Sequence, residues 1–75
     1  MKELAQFIVS RLADKPEAAR VEESQDGEAT VLKLVVDESD KGKIIGRQGK
    51  VIKAIRALVA VAAQKAGRRS VVEID

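Results

Sequence analysis

Apolar residues recur at two different periods along this chain, and the switches between them mark its elements. Leu4, Phe7, Ile8 and Leu12 fall at helical spacing, which predicts an amphipathic helix over residues 2–13 with Phe7 among its core positions. Asp14-Lys15-Pro16 stops it, because proline cannot continue a helix and biases its predecessor towards extended backbone. Residues 18–25 hold little apolar content and make a weak strand. Asp26-Gly27 then signals a hairpin turn, since both residues tolerate positive φ. TVLKLVVD (residues 30–37) is rich in β-branched side chains and sets Leu32, Leu34 and Val36 on one face, the surest strand in the chain. Ser39 or Asp40 can cap a short helix over KGKII, which Gly46 ends. A long helix follows from about Gln48 to Ala66, closed by Gly67, and SVVEI forms a last strand.

The order helix, strand, strand, short helix, long helix, strand implies an α+β domain over residues 1–75, with helices covering one face of a three-stranded sheet. The break between its last two helices is unusual. IIGRQGK places two glycines three apart beside the most regular helical pattern, where each would cost a helix interior about 1 kcal/mol. Two phosphate-binding motifs that use glycines do not fit. A Walker A loop needs four residues between its glycines and a Ser or Thr after the lysine, whereas only Arg47 and Gln48 intervene and Val51 follows Lys50. A dinucleotide fingerprint needs a glycine two positions before Gly46, where Ile44 stands, and a strand leading in. The remaining reading is a G-x-x-G loop between two helices. There the missing Cβ atoms let a nucleic-acid backbone approach closely, and the start of the second helix favours phosphate.

Charge strengthens that reading. Residues 1–40 carry five basic and ten acidic side chains, whereas residues 41–75 carry nine basic and two acidic. Lys41, Lys43, Arg47, Lys50 and Lys53 lie within thirteen residues that contain no acid, a patch suited to a polyanion. The absence of Cys and His removes disulfides, thiolate nucleophiles, imidazole bases and the usual zinc ligands, and is compatible with a reducing cytoplasm. Ser10, Ser24, Ser39 and Ser70 therefore lack a histidine partner, and no carboxylate pair suggests acid–base chemistry. Neither an enzyme nor a bound metal or cofactor is expected. The apolar N-terminal run is interrupted by Gln6 and Arg11 and is too short for membrane insertion. Phe7 is the only aromatic residue, so modules that hold bases by ring stacking fit poorly.

DKGKIIGRQGKVIKAI resembles the core of the K-homology (KH) RNA-binding domain, and the element order across nearly the whole chain matches its bacterial type II form. The resemblance to small free-standing bacterial KH proteins implies single-stranded RNA clamped by the GXXG loop. Its implied contacts are Gly46, Arg47, Gln48 and Gly49, extended by Lys43, Lys50 and Lys53. The family groove is floored by apolar residues, which here would be Ile44 or Ile45, and Ile52, with Leu34 or Val36 from the strand before them. The resemblance further implies RNA-chaperone activity and partnership with a larger KH-containing protein, KhpB (Jag/EloR-like), in cell elongation and envelope growth. One departure is the hairpin loop ESQDGEA, the other groove wall in this fold, whose Glu23, Asp26 and Glu28 would repel phosphate. Contact is expected chiefly on the GXXG side.

On the long helix, Val51, Ile52, Ile55, Leu58, Val59 and Ala62 share a broad face expected to pack on the sheet. Ala54, Ala57 and Val61 occupy a separate sector of small residues, a candidate dimer interface or simply an exposed alanine-rich face. Arg68 and Arg69 follow the helix end, where complementing its dipole is at least as good a role as RNA contact. Two other functions stay open: a protein-interaction adaptor in which nucleic-acid binding is incidental, and a helix-turn-helix DNA binder.

Overall fold

A computed structural model describes all 75 residues. Helix α1 (Lys2–Leu12) leads through a 3₁₀ turn to strands β1 (Arg20–Asp26) and β2 (Ala29–Val35). A second 3₁₀ turn (Glu38–Asp40) precedes the short helix α2 (Lys41–Ile45), and a third (Arg47–Gly49) separates it from α3 (Lys50–Lys65). Strand β3 (Arg69–Ile74) ends the chain. β1 and β2 pair antiparallel, with Asp26 opposite Ala29, so the hairpin turn is Gly27-Glu28, one residue later than Asp26-Gly27 suggested. Only Gly27 there has positive φ. β3 joins β2 in parallel, Leu32 opposite Val72, giving the order β1-β2-β3. Such a parallel neighbour needs a long crossover, which α2 and α3 supply.

Thr30, Leu32, Leu34 and Val36 alternate inward from β2 and are buried, together with Val21 and Val72 on either side. The helices cover this one face of the sheet; on the other, Val71 remains 42% exposed. α1 contributes Ala5 and Val9 to the core, whereas Phe7 is 58% exposed and Leu12 is also exposed. At 100° per residue Phe7 lies on the far side of the helix from Ala5 and Val9. The small side chains let α1 sit close to the sheet, and Phe7 instead stacks beneath the Arg11 guanidinium, 5.0 Å from its ring centre. The α3 face is likewise displaced. Ile52, Ile55, Val59 and Ala63 are buried, but Leu58 is 53% exposed. Apolar residues surround so much of α3 that their spacing alone did not select the half that meets the sheet.

Polar side chains fasten the connections. Gln6 donates to the Ala19 carbonyl and accepts from the Val21 N–H, both at 3.0 Å, tying α1 to the start of β1. The helix cap expected of Ser39 or Asp40 is supplied one turn earlier: Asp37 accepts from the Ser39 N–H and hydroxyl. These bonds, with the Lys15 ammonium nearby, hold the Asp37 carboxyl below its ordinary value. Asp40 is only 1% exposed and accepts from the N–H groups of Asp14 and Lys15 at 3.2 and 3.0 Å. It anchors the loop after α1 rather than capping α2. No helix is long and apolar enough to cross a membrane.

Candidate nucleic-acid interface

The glycine loop is a tight backbone reversal with three residues at positive φ. Gly46 has φ 78°, Gln48 57° and Gly49 74°. Gln48 and Gly49 are therefore not the first residues of the long helix, which begins at Lys50. The two glycines serve different needs. A Cβ on Gly46 would lie 2.3 Å from Val51 Cγ2 and 2.8 Å from the Val51 amide nitrogen, so a side chain has no room. A Cβ on Gly49 would meet nothing nearer than Ile52 Cγ2 at 3.9 Å. That glycine is needed for its left-handed backbone and leaves open space outside the loop.

No side chain caps the start of α3. Its first N–H groups and the positive end of its dipole consequently face the loop without an internal anionic partner. Arg47, Lys50 and Lys53 surround this point, all exposed, and none is ion-paired with a carboxylate. The remaining cations of the basic run differ. Lys41 pairs with Glu38 at 3.0 Å, and Lys43 pairs with Asp14. The thirteen-residue patch thus splits into a neutralised upstream half and an unpaired downstream half. The Glu38–Lys41 pair was readable from helical i,i+3 spacing, but Asp14 lies 29 residues from Lys43 and gave no local signal.

The apolar candidates separate just as clearly. Ile44 is completely buried and Ile52 is 6% exposed, while Ile45 is 37% exposed. Leu34 and Val36 are also buried. Hydrophobic packing has drawn Ile44 into the core cluster, where it offers no surface to a ligand. Of the three isoleucines only Ile45 presents substantial apolar surface. The surface hollows of the molecule lie on α1 around Phe7 and on the open face of the sheet, away from the loop. The site is accordingly a projecting backbone turn ringed by cations.

At the other end of α3, Arg68 is half-buried and donates to Thr30 Oγ1 at 2.7 Å and to Gln25 Oε1. It fixes the turn end of the β1–β2 hairpin, where Gln25 pairs with Thr30, so its charge serves the fold, whereas Arg69 is exposed. The acidic hairpin is held at this end of a 16-residue helix, about 24 Å from the glycine loop at 1.5 Å per residue. Ala54, Ala57 and Val61 are exposed along α3, next to the exposed Leu58.

A family model described as KhpA/KhpB, KH domain, matches residues 2–74. Over 74 residues the chain is 47% identical to the RNA-binding protein KhpA of Clostridium perfringens, covering 99% of each chain. It is 43% identical over 72 residues to the RNA-binding protein KhpA of Borreliella burgdorferi, covering 96% of this chain and 88% of the relative. With the RNA-binding protein KhpA of Halalkalibacterium halodurans it shares 44% identity over 69 residues, 92% and 91% of the two chains.

Proposed function

This chain belongs to the KhpA/KhpB family of KH domains, and on that premise we propose that it binds single-stranded RNA through the glycine loop. The observation that carries this reading is the grouping of Arg47, Lys50 and Lys53, all without carboxylate partners, around an uncapped helix start. A phosphate beside Gly49 would meet open backbone, helix N–H groups and positive charge together. Ile45 gives one aliphatic contact for a base, and the recognition is otherwise electrostatic.

About three neutralised phosphates would give a slope of log K against log salt near −2, or roughly a 20-fold loss of affinity between about 50 and 200 mM. Changing Arg47 and Gln48 together to Asp keeps both glycines and places two acids against the phosphate path. RNA crosslinking should fall by at least about tenfold with the unfolding midpoint little changed; undiminished crosslinking would refute the clamp.

The exposed side chains of Leu58 and Val61, 53% and 55% accessible, support a second role for α3 as a protein contact. Two such helices can approach closely where Ala54, Ala57 and Val61 meet, burying the apolar surface that the small core leaves outside. On this reading the working form is a dimer, or a complex with a KhpB-type KH protein. Membership of this family, rather than any surface of α3, is what supports extending the proposal to a cytoplasmic RNA chaperone acting in post-transcriptional control of cell elongation and envelope growth. Val61→Glu should weaken self-association without unfolding the monomer, because Val61 is already exposed. Light scattering that still reports a dimer would rule this surface out. Retention of self-association with no RNA binding in any assay would favour a pure adaptor.

A further inference from the structure

Lys43 stands three residues before Gly46, on the helix that leads into the loop, yet it already has a partner within the fold. Its ammonium is already in contact with the Asp14 carboxylate. Asp14 is held in place from behind. Its own N–H donates to Asp40 Oδ1, and the following N–H, from Lys15, donates to Asp40 Oδ2. Asp40 is buried, and the Lys15 ammonium lies 3.5 Å from Asp37 in the same segment. The loop after α1 is thus bound to residues 37–43 by backbone and side-chain contacts, and it presents one carboxylate to one lysine of the basic run.

We infer that Asp14 limits the extent of the RNA site, occupying Lys43 as a phosphate would and confining the phosphate contact to Arg47, Lys50 and Lys53. This rests on the RNA-binding reading given above. An RNA strand extending upstream along α2 must displace Asp14 to reach Lys43, and both side chains are exposed enough for the exchange, at 50% and 71%. Weak pairing at such exposure is ordinary. Its effect is therefore on the length and salt dependence of the contact, while folding is little affected. Asp14→Asn retains the backbone N–H that Asp40 accepts and removes only the competing charge.

The test uses the full 75-residue protein and a fluorescently labelled mixed-sequence single-stranded RNA, followed by anisotropy across a salt series. With one further phosphate neutralised, Asp14→Asn should steepen the log–log salt slope by about 0.7 and tighten binding roughly three- to tenfold at about 50 mM salt. Asp14→Ala should behave alike, which covers a fold defect peculiar to Asn. Lys43→Gln alone should bind almost as the parent does, and adding it to Asp14→Asn should abolish the gain. An unchanged slope and affinity in both Asp14 variants overturns the inference. So does a gain that survives Lys43→Gln, because the effect would then be one of net charge alone. The Arg47→Asp, Gln48→Asp protein serves as control in the same assay. If it binds like the parent, the RNA clamp fails and this inference with it; if it loses binding while the Asp14 variants show no gain, only the inference about Asp14 fails.

Discussion

The two ends of α3 carry the same kinds of residue and use them in opposite ways. At its start, Gly49 and the cations Arg47 and Lys50 stand around a helix terminus with no side-chain cap. At its end, Gly67 is followed by Arg68, whose guanidinium is bound to Thr30 and Gln25, while the Arg68 N–H donates to the Ala63 carbonyl at 2.8 Å. The first end leaves donors and charge unspent, and the second consumes them in joining helix, hairpin and sheet. Basic residues near a helix terminus are therefore informative about ligands only once their internal partners are known.

The contrast can be broken most severely at Gly46. Gly46→Ala combines the cost of a positive-φ, extended-ψ backbone that is essentially restricted to glycine with a Cβ driven against Val51. It should destabilise the domain by about 2–5 kcal/mol, a large share of what a domain this size holds. Gly49→Ala should lose only about 1–2 kcal/mol, since the new methyl has space. Urea denaturation of the two variants measures the difference; equal losses would mean that close packing at Gly46 does not matter.

A smaller effect sharpens the comparison from the other end. Arg68→Ala should cost about 1–2 kcal/mol through its lost hydrogen bonds and leave the affinity for RNA nearly unaltered. A fall in affinity comparable with that from changing Arg47 and Gln48 to Asp would place Arg68 in the ligand site. The smallest expected change concerns pH. The Asp37 carboxyl is depressed in the folded protein, first by the Ser39 hydroxyl and then by the Ser39 N–H. Its contribution is complete above the ordinary carboxylate value and is lost as pH falls through the depressed folded value. Asp37→Asn should flatten the acid limb of stability slightly, as read from unfolding midpoints across a pH series; an identical limb would assign the acid sensitivity to other carboxylates.

Much of the architecture is legible in the residue pattern alone. β-branched alternation marked β2, and the glycines bounded two helices, because these signals depend on neighbours only a few residues apart. Phe7 and Leu58 show the limit of that reasoning. Both sit at plausible helical core spacing, but the helix orientation turns them to solvent. Ile44 shows the converse: it lies in the motif expected to touch RNA, and packing draws it wholly inside.

Backbone preference and residue spacing set the element types and the glycine loop, and composition alone puts the positive charge in the second half of the chain. Which of those charges remain free depends on the packed fold. Asp14 meets Lys43 across 29 residues, and Arg68 meets Gln25 across 43. Such pairings follow from how helices and strands pack, and no local pattern encodes them. The same packing chose the inward face of each helix, and with it the residues left at the surface to meet a partner.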